Sequence, residues 1–257
     1  ILDAASARRT NDHRSPSHQP TAPSSPSQSD LYVPEGVHAP SSSSIELAEL
    51  IDVRPGETVL DLGCGSGILS VAAARKGARM VVAQDINPEA CMATSRNGAM
   101  CNARAIVVPI AGSWYDLPAP VVDRDSPFDV VIATPPQTPG MSPFGPRYGG
   151  PDGTRHLFKI LASVPRFIEP DTGRFWLLTI SLADTEKILK RLNELFRDIR
   201  IIRESERLFT PDEYEGLHEG LFDYLLKLRA EKRARFTENG NGTYAFTNIF
   251  IRAEGLK

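Results

Sequence analysis

The sequence predicts an α/β fold, a seven-stranded and mostly parallel sheet with helices on both faces. Short β-branched runs alternate with segments of helical period along most of the chain, the pattern of a doubly wound sheet. One such run passes through closely spaced glycines directly into a helical pattern. The 257 residues, 41% of them hydrophobic, suffice to bury the core of one large domain. In chain order, Ser41–Ser44 caps a helix over 45–51, and the first strand is 58–62. A helix from about Ser66 leads to a second strand at 79–84 and a helix at 88–101. Strands at 105–110 and 128–133 precede a helix at 154–169, a strand at 175–180 and an amphipathic helix at 184–196. The sixth and seventh strands are placed at 199–202 and 245–251, with a helical insertion over 209–236 between them. Residues 1–30, rich in Ser and Pro, read as a disordered tail, and 31–257 as the folded domain.

The most informative segment is Val59-Leu60-Asp61-Leu62-Gly63-Cys64-Gly65-Ser66-Gly67. A buried strand turns here into a helix, and glycine lets the backbone adopt positive φ and lets a ligand come close. The helix start adds unpaired N–H groups and a positive dipole end. An acid at the start of the turn suits a cationic ligand group and does not suit a pyrophosphate. The second strand ends in Gln84-Asp85, and an acid there commonly holds a ribose diol. Asn87-Pro88 then starts a helix.

This turn resembles motif I of the class I S-adenosylmethionine (SAM) methyltransferases. The resemblance implies the Rossmann-like fold of that class and SAM as cofactor, with S-adenosylhomocysteine as its product. It assigns Asp61, Gly63, Cys64, Gly65 and Gly67 to the methionyl end and Asp85 to the ribose. Ile86, Ser113 and Trp114 are assigned to the adenine. After the fourth strand comes Ala133-Thr134-Pro135-Pro136-Gln137. A Pro-Pro step at that point stiffens the backbone and is similar to the Asn-Pro-Pro-Tyr corner of nitrogen methyltransferases. With Gly112–Leu117 and Tyr148-Gly149-Gly150-Pro151-Asp152-Gly153, the chain resembles the HemK/PrmC-like group, whose known members methylate a glutamine amide of release factors. Here Thr134 and Gln137 stand where that group has Asn and Tyr. A hydroxyl cannot offer the paired donor and acceptor of an amide. The expected activity is therefore N-methylation of a small or amino-acid-derived amine, guanidine or amide, with Thr134, Pro135 and Gln137 orienting the acceptor. The alternatives are glutamine methylation of a release factor and a non-catalytic SAM-binding subunit.

Acids and aromatics in the insertion suggest a lid for a cationic substrate. Helical spacing would put Tyr214, His218 and Phe222 on one face beside Glu215. His38, Tyr148 and His156 are further candidate contacts with a small-molecule or peptide acceptor. A net charge of −3 gives no general attraction to nucleic acid, and the basic run at 227–235 reads as a solvated face. No apolar run reaches the roughly 18–20 residues of a membrane span. The three cysteines have no metal-ligand spacing and read as reduced, which suits a cytoplasmic protein.

Overall fold

The computed structural model describes residues 31–101, 105–113, 117 and 127–257. The tail and Trp114 lie outside the described residues. The core is one sheet in the order β3-β2-β1-β4-β5-β8-β6, with a two-residue β7 against β8. Its strands are β1 (Thr58–Leu62), β2 (Met80–Asp85), β3 (Ile106–Ala111), β4 (Val130–Ala133), β5 (Arg174–Ile180), β6 (Phe196–Phe209), β7 (Thr237–Glu238) and β8 (Tyr244–Leu256). The first five run parallel, and β8 is antiparallel to both β5 and β6. Strand order reverses between β1 and β4, so their carboxyl ends flank the crevice where such sheets bind ligands. Every residue of β1 and β4 is buried, as suits the central strands of a parallel sheet covered on both faces.

Alternation along the strands separates two cores. Leu60, Leu62, Val131 and Leu177 face α4 (Arg155–Ser163) and α5 (Thr185–Leu195). Val59, Ile132, Trp176 and Phe250 face α1 (Ser42–Leu50) and α2 (Ile68–Arg75). α3 (Pro88–Met100) starts at the expected cap, where the Asn87 side chain accepts the Glu89 N–H.

Three expectations change. The helix placed over 154–169 ends at Ser163, because Pro165 supplies no N–H and the chain tightens into a 3₁₀ turn over Val164–Arg166. β6 is 14 residues long rather than four. Its second half, from Arg203 to Leu208, is mostly exposed and mostly charged, so no apolar pattern marks it as a strand. It is held by backbone pairing to β8, from Arg203↔Phe250 to Phe209↔Tyr244, and charges suit such an exposed edge. Lastly, the single lid helix is two short ones, α6 (Pro211–Glu215) and α7 (Leu221–Ala230). Gly220, at φ +74°, breaks the run between them.

A satellite core fastens this insertion to the ends of β6 and β8. The Phe209 ring lies 4.9 Å from that of Tyr214, 5.7 Å from those of Phe236, Tyr244 and Phe246, and 6.4 Å from that of Phe222. Leu221, Leu225 and Leu228 complete it. Among the described residues no helix is long and apolar enough to cross a membrane. Phe209→Ala empties the middle of this cluster and is expected to cost about 3–5 kcal/mol, read as a lower urea midpoint.

Candidate functional site

The glycine turn is clamped to the end of β2. The N–H groups of Gly63 and Cys64 both donate to the Gln84 carbonyl, at 2.8 and 2.9 Å. The Gly65 N–H donates to Asp85 Oδ2 at 2.9 Å, and the Asn87 N–H to Asp85 Oδ1 at 2.9 Å. Gly67 lies against α3: a Cβ there would come within 2.8 Å of the Thr94 hydroxyl. Thr94 donates to the Gly65 carbonyl at 3.1 Å. Asn97 donates to the Ser66 and Tyr32 carbonyls, each at 2.8 Å. The segment from Tyr32 is thus tied to the turn, and it brings the His38 carbonyl to 3.9 Å from where a Gly65 Cβ would lie. Sequence reading missed Thr94 and Asn97. Their signal was available as polar residues at helical spacing from Ala90 on a face otherwise buried.

Asp61 is 1% exposed. Ser70 donates to its Oδ2 at 2.6 Å, and Oδ1 has no hydrogen-bond partner. Burial pushes its carboxyl up to about 6, and the charge of Asp85 adds to that against the Ser70 hydrogen bond. A half-satisfied buried carboxylate is costly unless a cationic donor meets it, so this oxygen fits an ammonium. Asp85 keeps further lone pairs free after its two backbone contacts. Ile86 is 75% exposed just past β2, an apolar surface suited to a ring. Part-exposed Ser113 follows Gly112, whose carbonyl accepts from Gln84 Nε2. The Cys64 thiol is pushed up by its hydrogen bond with Cys91 and by burial, so it stays protonated and inward.

The corner after β4 is also fixed, by a residue given another role above. Thr134 is half-buried and Pro135 buried. Gln137 is 6% exposed. Its Nε2 donates to the Pro135 carbonyl at 3.2 Å and the Leu178 carbonyl at 2.7 Å, and its Oε1 accepts the Ile180 N–H at 3.1 Å. Its amide therefore staples the corner to β5, and both donors are used. This corrects the expectation that it orients an acceptor. Gly149 and Gly153 pack against it: a Cβ would come within 2.6 Å of the Gln137 Cα and 2.4 Å of its carbonyl oxygen, respectively. Asp152 holds the same loop through Thr154 and Lys187. Burial opposes its ionisation, but these hydrogen bonds prevail and lower it to about 2.

The lid residues also sit differently from expectation. Tyr214 is in the satellite core rather than on a presented face. Both Glu215 oxygens cap α7, accepting the N–H groups of Gly220 at 2.7 Å and Phe222 at 2.8 Å. His218 donates from Nδ1 to the Glu219 carbonyl at 2.8 Å, leaving Nε2 for the Ser142 hydroxyl at 3.1 Å. Tyr148 is buried, its ring 5.4 Å from Phe144 and under the Arg155 guanidinium. The His156 ring is hydrogen-bonded to the Tyr148 backbone, and burial lowers its pKa. Burial, with Arg147 nearby, also lowers His38. Arg147, which the sequence did not single out, bridges to Glu213, one of the acids of the insertion.

A family model described as ribosomal protein L11 methyltransferase matches residues 35–134, from the segment over the turn to Thr134. An L11 methyltransferase of Herpetosiphon aurantiacus is 45% identical over 83 residues, 32% of this chain and 26% of that protein. The chain thus spans about a quarter of that relative. A Methanocaldococcus jannaschii protein named as a candidate protein N5-glutamine methyltransferase is 31% identical over 188 residues, 69% of this chain and 87% of that one. The solved YcgJ protein of Bacillus subtilis superposes with a TM-score of 0.55 at 15% identity, covering 82% of this chain and 97% of its own. Precorrin 8W decarboxylase of Methanobacterium thermoautotrophicum gives 0.51 at 16%, covering 87% and 97%. These two speak to the fold alone. With a relative matched along most of its own length, and the glycine turn and acid-ended β2 in place, the chain belongs to the class I S-adenosylmethionine-dependent methyltransferases.

Proposed function

We propose that this chain methylates a nitrogen of a small or amino-acid-derived acceptor. The observation that carries the cofactor half is the unpartnered, buried Oδ1 of Asp61 under the clamped turn. SAM, when bound, supplies a sulfonium methyl that is already electrophilic. The protein's part is then to position the acceptor and exclude water. Asp61 would hold the ammonium, Asp85 the ribose hydroxyls and Ile86 the adenine. Thr134 and the Pro135 carbonyl would orient the acceptor nitrogen and point its lone pair inward. Gln137 acts one step back, as a positioning residue: it fixes the direction of the Pro135 carbonyl. A second reading, methylation of a protein glutamine, draws support from the name of the M. jannaschii relative.

Tritiated-SAM assays separate the two. Label is expected in a panel of small amines and amino acids and not in a Gly-Gly-Gln release-factor peptide; labelling of the peptide alone would establish the second reading.

The raised pKa of Asp61 sets a pH dependence. An unfolded aspartate titrates near 3.8, so the contribution of Asp61 to the stability of the unliganded fold is fully present below that value. The fold loses this contribution as pH rises to about 6. Cofactor binding runs the other way, since an ammonium prefers the ionised carboxylate. Affinity for S-adenosylhomocysteine, measured by calorimetry, is expected to rise from pH 5 to 7 with a midpoint near 6, as far as binding depends on Asp61. Asp61→Asn should flatten this profile and weaken binding by about tenfold or more.

Gln137→Leu removes three hydrogen bonds and strands two buried backbone groups. It is expected to cost about 2–4 kcal/mol in chemical denaturation. It should lower kcat while leaving the KM for SAM unchanged, the split that separates a positioning role from a cofactor contact.

A further inference from the structure

At the mouth of the site, two guanidiniums converge on one carboxylate oxygen. Arg147 Nη1 lies 3.3 Å from Glu213 Oε1, and Arg207 Nη2 lies 2.5 Å from the same atom. All three side chains reach solvent, at 41%, 32% and 30% exposure for Arg147, Arg207 and Glu213. The cluster carries one more positive charge than negative. His38 adds none near neutral pH, since its pKa is lowered. The next acid along this face, Glu46, is already held by Arg203 and Ser205.

Its place ties it to the acceptor side. The Arg147 carbonyl accepts the Thr138 N–H at 3.0 Å, four residues beyond Thr134. Its side chain lies near His38, whose carbonyl approaches Gly65. Arg147 therefore stands between the segment over the turn and the Pro-Pro corner. Arg207 is held in place, with its guanidinium 5.3 Å over the Phe246 ring and hydrogen-bonded to Tyr214.

We propose that Arg147 and Arg207 receive a carboxylate of the methyl acceptor. This rests on the reading that the corner receives that acceptor, and it narrows the acceptor to an amino acid, a peptide terminus or a related acid. Glu213 shows that a carboxylate fits between the two, and each planar fork has donors to spare for a second one. A single acidic group suits the site better than a phosphate backbone, because three of the five cations in the basic run at 227–235 are already paired with acids. Lys227 and Arg233 meet Glu231, Arg233 also meets Asp152, and Arg235 meets Glu186. The acid-lined lid for a cationic substrate is thereby replaced by a cationic mouth for an anionic one.

The test titrates glutarate, and separately inorganic phosphate at equal ionic strength, into the full chain with S-adenosylhomocysteine, followed by ligand-observed NMR. Saturable glutarate binding is expected. It should weaken about tenfold in Arg147→Gln and strengthen about threefold in Glu213→Gln, where the internal competitor is gone. Cofactor affinity should be unchanged in both, which shows that they fold. Absence of glutarate binding in both the native protein and Glu213→Gln, tighter binding of phosphate than of glutarate, or indifference to Arg147→Gln would each overturn the proposal. If S-adenosylhomocysteine fails to bind while glutarate follows the expected order, the cofactor reading falls and the anion site stands.

Discussion

The site depends on how the end of β2 holds the turn after β1. One carbonyl, that of Gln84, takes two consecutive N–H groups from Gly63 and Cys64, while the next residue, Asp85, takes the Gly65 N–H on its carboxylate. Both contacts lie at the carboxyl end of the β1–β2 ladder, where Leu62 pairs with Gln84. A turn with left-handed φ at Gly63, Gly65 and Gly67 would have little to hold it in isolation, because glycine loses the most conformational entropy on ordering. The clamp offsets that loss. It also brings two acids towards the same ligand volume, and their mutual repulsion adds to the raised pKa of Asp61.

The corner after β4 solves a similar problem with a side chain. β4 is only four residues long, and the two prolines after it supply no N–H for pairing. Gln137 substitutes for the missing ladder by giving and accepting hydrogen bonds along the end of β5. The Gln137 backbone fits because Gly149 and Gly153 leave no side chain in the way. The Gly-Gly-Pro-Asp-Gly run thus makes sense as a cradle for Gln137, anchored by Asp152 on Lys187 of α5. This also gives a reason for a glutamine where the Asn-Pro-Pro-Tyr corner that the sequence resembles carries an aromatic ring: the side chain points back to the scaffold.

Where hydrophobic period was the signal, the sequence was legible. The buried strands Thr58–Leu62 and Val130–Ala133, the helix starts at Ser41 and Asn87, and the order of elements all follow from local pattern. The far half of β6 was not legible, because an exposed edge strand needs only a partner's backbone. Asp61 and the glycines lie at the end of β1 and in the turn after it, and Asp85 ends β2, as the strand and turn pattern predicted. Gln137 and the lid acids were misjudged for one common reason. A polar residue's type gives its hydrogen-bonding capacity, and only the fold says how much of it is already used.

That distinction governs the charge of the mouth. The insertion is acidic in sequence, yet Glu215 is spent on the start of α7 and Glu213 on two arginines from distant parts of the chain. The arginines come from the loop after β4 and from β6, strands that neither pair with each other nor lie close in sequence. The acids that remain exposed, among them Asp212, Glu219 and Asp223, are solvated and weakly felt at a distance. What an approaching molecule meets next to the corner is a partly neutralised guanidinium pair, so the local field there has the opposite sign to the composition of the segment above it.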